Sequence, residues 1–169
     1  MKKMIISYII AAITMVHMLF LSGCSKPTEP VPLQCNFTAT VTATTGKVTE
    51  SYTVVNTGQG ITIVTYAEPA NLKGLTYSYK GKQLTLKYGD LSYTPSDSVF
   101  PKSNLVLMLY DILNTISTNQ PLPDIQQNGN TTIHSNNICK ITSNSNNGNI
   151  LQIKFKESDI IYNFTYKNN

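Results

Sequence analysis

The stretch Gly60–Tyr93, GITIVTYAEPANLKGLTYSYKGKQLTLKYGDLSY, decides the fold class. Polar and apolar residues alternate along it with a period of two, which sends successive side chains to opposite faces of a strand. Ile61, Ile63, Thr65 and Ala67 fall on one side, and Thr62, Val64 and Tyr66 on the other. Leu75, Tyr77 and Tyr79 then alternate with Thr76 and Ser78, and Leu84, Leu86 and Tyr88 with Gln83, Thr85 and Lys87. Leu91 and Tyr93 begin a last short piece. Lys80-Gly81 and Gly89-Asp90 read as hairpin turns. Glu68-Pro69 ends a strand, and Ala70–Gly74 is a longer connection. The stretch is therefore expected to form three or four antiparallel strands, dry on one face and wetted on the other. It carries no catalytic motif.

The pattern continues outward on both sides. Phe37, Ala39, Val41 and Ala43 alternate with threonines, Thr44–Lys47 turns, and Val48–Val55 returns. These gaps are too short for crossover helices, so the strands form a meander. After Tyr93, Pro95 and Pro101 hold Thr94–Lys102 in loop geometry. Ser103 or Asn104 is placed to cap a helix over Leu105–Ser117. In it Leu105, Met108, Leu109, Ile112, Leu113 and Ile116 recur at helical spacing, and Val106, Leu107 and Tyr110 widen the apolar surface. Asn119–Asn130 reads as a polar loop, Thr131–Thr142 as one strand or two short ones, and Ile150–Lys156 and Ile160–Lys167 as the closing strands. About eight strands and one strong helix give a mainly β, α+β chain. The expected architecture is a curved antiparallel sheet forming an incomplete β-barrel around the apolar helix. Ile63, Leu75 and Leu86 are expected to face Leu105, Met108, Leu109 and Ile112, as packed core or as an open hydrophobic groove. Pattern alone does not separate the two.

The first residues carry an address. Lys2 and Lys3 precede a largely apolar run from Ile5 to Leu21, as in an export signal. The run ends in Leu21-Ser22-Gly23-Cys24, which resembles the bacterial lipobox. That resemblance implies cleavage before Cys24, diacylglycerol on its thiol, an N-acyl group where the amine is also modified, and no other cofactor. Several acyl chains together hold a protein at a bilayer. Residues 1–23 are thus expected to be a lipoprotein signal peptide, 24–33 a lipidated cysteine with a proline-bearing tether, and 34–169 a single domain. The expected location is the outer face of the bacterial cytoplasmic membrane.

Composition removes several functions. Without Lys2 and Lys3, eleven lysines face nine acidic residues, a formal +2, and arginine is absent. The lysines are scattered, without the basic stripe that nucleic-acid binding needs. His134 is the only histidine after the signal segment and sits among Thr and Asn, where a solvated or hydrogen-bonded role is expected. No G-x-S-x-G or H-E-x-x-H occurs, and no His/Cys cluster has metal-ligand spacing, so neither an enzyme nor a metal site is expected. Cys35 and Cys139 remain beside predicted strands. Outside the cytoplasm they could form an intramolecular disulfide, stay reduced and buried, or bridge to a partner or second copy as a disulfide-linked dimer.

The strand meander, the turn EPANLKGL, the strands GKQLTLKYGDLSY, the proline-bearing loop, the apolar helix and the closing strands resemble, in that order, small Gram-positive lipoproteins similar to the outer-membrane lipoprotein carrier LolA. The similarity spans about Phe37 to Tyr166 and is clearest from Ile61 to Ile116. It implies an incomplete β-barrel with helix inside its concavity, binding either acyl chains or protein partners. One similar branch comprises germination lipoproteins of spore-formers that work with a cortex-processing amidase, some pairing through a cysteine near the mature N-terminus, where Cys35 stands. A lipidated chain is less suited to shuttling than a soluble carrier. The expected role is a tethered, non-catalytic binding or accessory module. The alternatives are a structural envelope lipoprotein without a small ligand and an accessory subunit of a cell-wall-processing enzyme.

Overall fold

The computed structural model describes residues 29–81, 83–95, 104–118 and 122–167. Leu21, Ser22, Gly23, Cys24 and the alternative cap Ser103 lie outside the described residues. Among the described residues eleven strands and one helix follow in order: β1 (Asn36–Thr45), β2 (Val48–Thr57), β3 (Ile61–Glu68), β4 (Thr76–Lys80), β5 (Gln83–Tyr88), β6 (Leu91–Tyr93), α1 (Leu105–Thr118), β7 (Asp124–Asn128), β8 (Thr131–Ser135), β9 (Cys139–Asn144), β10 (Ile150–Phe155) and β11 (Ile161–Tyr166).

All strands join one antiparallel sheet in the order β6-β5-β4-β3-β2-β1-β11-β10-β9-β8-β7. Each half is a meander of nearest neighbours, and the β1–β11 pair, with Val41 opposite Phe164, stitches the halves together. The sheet is curved and open, and β6 and β7 are its two edges. Helix α1 lies in sequence between those edges, so the chain must pass from one side of the sheet to the other. The helix carries it across one face, called here the inner face. Tyr110 stacks on Tyr79 of β4 at 3.7 Å and donates to the Gly81 carbonyl at 2.7 Å. The Tyr162 hydroxyl of β11 donates to the Leu105 carbonyl at 2.8 Å. Asn104 caps the helix, its Oδ1 accepting from Leu107 N at 3.1 Å.

The inner face is the core. Val41, Tyr52, Val54, Val64, Ile153 and Tyr162 are fully buried there, and Leu109, Leu113 and Ile116 of α1 close over them. Asn56 and Thr62, drawn into this face, are paired: Thr62 donates to Asn56 Oδ1 at 2.7 Å, and Asn56 Nδ2 donates to the Cys35 carbonyl at 2.6 Å. The Tyr52 and Tyr66 hydroxyls both donate to Glu50 Oε2.

Four expectations change. The sheet has eleven strands rather than about eight, because the pieces Leu91–Tyr93 and Asp124–Asn128 pair as edges. The second of these, DIQQN, read as loop because it has almost no apolar alternation; backbone pairing to β8 makes it a strand. Ile63 does not face the helix. Val64 and Tyr66 point inward, and Ile63 lies on the helix-free face with Ile61 and Thr65. The tether also does not end at Leu33 as a free spacer. Leu33 is buried in the core, and Gln34 N donates to the Gly148 carbonyl at 2.9 Å.

Candidate functional site

The helix does not cover the whole inner face. Cross-strand partners share a face, so one row can be followed from the centre outward. Val54 pairs with Val64, Val64 with Tyr77, Tyr77 with Leu86, and Leu86 with Tyr93. Burial falls along that row: Val54 and Val64 are 0% exposed, Tyr77 is 6%, Leu86 is half-buried and Tyr93 is 55%. Beside it, Tyr88 pairs with Leu91, and these are 49% and 75% exposed. The Tyr79–Tyr110 stack marks the limit of helical cover. Beyond it the core face emerges as a wing of Leu75, Leu86, Tyr88, Leu91 and Tyr93. Gly89, with φ +55°, makes the tight β5–β6 turn that aligns Tyr88 with Leu91. Monomer surfaces rarely leave contiguous apolar area of this kind without an interaction role.

Of the residues expected to line a groove, Leu105, Leu109 and Ile112 are buried in the core. Leu75 and Leu86 are partly buried against it and run into the wing. Met108 is half-buried on the far flank, where it and Ile112 meet Phe155 and Ile138 around a cavity of about 140 Å³. Tyr88, Leu91 and Tyr93 were legible as strand residues but not as site residues, since their exposure depends on where the helix stops.

A second apolar cavity, about 320 Å³, lies between the tether residues Pro30–Leu33 and the pair Leu122 and Ile125, with His134 at its wall. His134 is buried rather than solvated, and its Nε2 and Ser143 Oγ share a 3.1 Å hydrogen bond. Desolvation lowers its pKa below the ordinary histidine value. Near the helix, desolvation raises the pKa of Asp111, and that of Tyr79, whose buried hydroxyl has no hydrogen-bond partner among the described residues.

Neither Cys35 nor Cys139 is in a disulfide. Lys140 aligns through Lys154 and Ile161 with Thr44, so Cys139 lies near the Thr45 end of the sheet. Cys35 precedes Asn36 at the opposite end. Ten residues of strand at about 3.3 Å each put roughly 30 Å between those ends. A disulfide needs Cα atoms about 4–7 Å apart, so the expected intramolecular bridge does not form in this fold. Burial, slightly offset by Lys156, pushes the Cys139 thiol up to about 11. Among the described residues no helix is long and apolar enough to cross a membrane, and no group of three His, Cys, Asp or Glu side chains could hold a metal ion.

No protein-family profile and no curated protein matches the chain. Among solved structures, a LolA superfamily protein from Nitrosomonas europaea aligns over 82% of this chain and 90% of its own, at 10% identity and a TM-score of 0.40.

Proposed function

We propose that this protein is a non-catalytic binding module, anchored by lipid on Cys24 outside the cytoplasmic membrane, that engages a protein partner through the β5–β6 wing. The observation that carries the reading is the exposure of three neighbouring large apolar residues, Tyr88, Leu91 and Tyr93, on the face whose centre is the core. A protein partner suits the wing better than an acyl chain. The helix already fills the centre of the inner face, with Val106, Leu109 and Ile116 at 0% exposure, so among the described residues the centre of that face leaves no room for a chain. The wing is open and rich in tyrosine, a side chain that supplies large contact area at low entropic cost and dominates protein interfaces. Anchoring is supported by the basic start, the apolar run and Leu21-Ser22-Gly23-Cys24.

The test places a photo-crosslinking amino acid at Leu91 in the full chain in its own cells, with Val48, also exposed at 54%, as the control position. A single discrete adduct from position 91, absent from 48 and weakened by Tyr93→Ser, is expected. Equal labelling from both positions, or none from 91, would end the reading. Cys24→Ala is expected to move the protein from the membrane fraction to the soluble one; unchanged retention would remove the anchor from the proposal.

A further inference from the structure

The helix-free face carries an ordered feature of a different kind. Thr165, Thr40, Thr53, Thr65 and Thr76 are consecutive cross-strand partners on β11, β1, β2, β3 and β4. Five neighbouring strands therefore present threonine at one register, on the face opposite the core. The row continues through Lys87, the partner of Thr76, to Ser92, the partner of Lys87. Strand spacing sets one hydroxyl about every 4.8 Å across the sheet. Thr65 and Thr76 hold each other at 3.1 Å.

At the β11 end the row opens into a notch of about 500 Å³. Gln34, Asn36, Thr38, Thr40, Thr53, Asn149 and Lys167 line it with polar groups, and Phe37, Ala39 and Tyr166 add apolar surface. Its position follows from topology. Pairing of β1 with β11 runs from Ala39 to Thr44, so the first residues of β1 stand beside the β9–β10 turn, where Gln34 is tied to Gly148. The side-chain amides and hydroxyls of Gln34, Asn36, Thr38, Thr40, Thr53 and Asn149 make no hydrogen bond within the protein among the described residues. On the inner face, by contrast, Asn56, Thr62, His134 and Ser143 are all engaged. The notch lining includes no carboxylate and one cation, Lys167.

We infer that this face binds an extended neutral glycan, one end seated in the notch and the chain running across the strands along the threonine row. Amides and hydroxyls both donate and accept, as sugar hydroxyls do, and the absence of carboxylates from the lining spares the ligand acidic repulsion. A pyranose ring in an extended β-linked chain spans about one strand spacing, so successive rings would meet successive threonines. The surface is separate from the tyrosine wing, which lies on the other face of the sheet.

The experiment uses the full chain in detergent and titrates cellohexaose and chitohexaose, with an α-linked glucan hexamer as the geometric control. Saturable binding of at least one β-linked hexamer, at least tenfold tighter than the α-linked control, is expected. The double variant Thr40→Val with Thr53→Val removes two hydroxyls at strand positions that accept valine and is expected to weaken binding at least fivefold. Asn36→Ala with Asn149→Ala should weaken it comparably, while Leu91→Ser should leave it unchanged. Failure of both β-linked hexamers to bind would overturn the inference, as would equal affinity in a correctly folded Thr40→Val, Thr53→Val protein.

Discussion

Replacing Gly148 with alanine tests whether the tether is part of the folded body. Gly148 is buried in the β9–β10 turn with φ +71°, and its carbonyl accepts the Gln34 amide at 2.9 Å. A Cβ there would overlap the Pro32 carbonyl oxygen and stand 3.2 Å from Gln34 N. Both obstructions are backbone, so neither can rotate away. The left-handed conformation alone costs a non-glycine residue about 1–2 kcal/mol. Relieving the overlap means lifting Pro32–Gln34, which loses one backbone hydrogen bond, about 1 kcal/mol, and uncovers Leu33, about 1–2 kcal/mol. The expected destabilisation is about 3–5 kcal/mol. Gly46→Ala is the control. Gly46 has φ +54° and open space around its Cβ position, so it should lose only about 1–2 kcal/mol. Denaturant midpoints of both variants, with hydrogen exchange at the Gln34 amide, make the comparison. Equal midpoints, with Gln34 still protected in Gly148→Ala, would refute the claim that the tether docks here.

Leu109→Ala, at a fully buried helix position, should cost about 3 kcal/mol in equilibrium unfolding; a loss under about 1 kcal/mol would mean that the helix is not the inner layer of the core. His134 supplies a pH dependence. Its folded pKa lies below the ordinary 6.5, so between the two values the unfolded chain binds more protons and stability falls as pH falls. Its contribution is fully present above pH 6.5 and is lost below it at up to about 1.4 kcal/mol per pH unit until the folded pKa is reached. Against wild type, His134→Asn should flatten that limb, and superimposable slopes would count against burial of the ring. Non-reducing mass mapping should find no Cys35–Cys139 bridge, and maleimide should modify Cys139 only after unfolding, because the thiol is buried and its pKa is pushed up to about 11. Rapid modification of Cys139 in the native protein would contradict its placement.

The parts of this fold that the sequence makes readable are those settled by local pattern. Period-two alternation and short polar turns mark β1 to β5, and the helix expected over Leu105–Ser117 is observed over Leu105–Thr118. What resists reading is decided by partners distant in sequence. Alternation shows that Ile63 and Val64 point to opposite faces, but not which face meets the helix; Ile63 is the more apolar and still points away from it. β7 has no apolar signature because its backbone pairs at an edge while most of its side chains meet solvent. The β1–β11 pair that makes one sheet of two meanders joins residues more than a hundred positions apart, and with it comes the separation of Cys35 from Cys139. The wing was half legible: its residues alternate correctly, and only the end of the helix tells that they are uncovered.

The same topology decides what remains available for binding. A chain that must travel from edge β6 to edge β7 sends helix α1 over the inner face, and that helix fills its centre. Among the described residues, apolar capacity lies at places the helix does not reach: the β5–β6 wing and the cavities of about 320 and 140 Å³ at the flanks. Hydrogen-bonding capacity is sorted to the other side, because Asn56, Thr62 and the Tyr52 and Tyr66 hydroxyls on the inner face are spent on internal partners while threonines on the helix-free face need none. An acyl chain entering the centre of the inner face would have to displace Leu109, Leu113 and Ile116, each almost completely buried, at the cost of exposing the strands beneath. Loss of helical protection at Leu109 on adding a fatty acid would therefore signal a carrier. Retention of that protection, with adducts confined to Leu91, would signal a docking module.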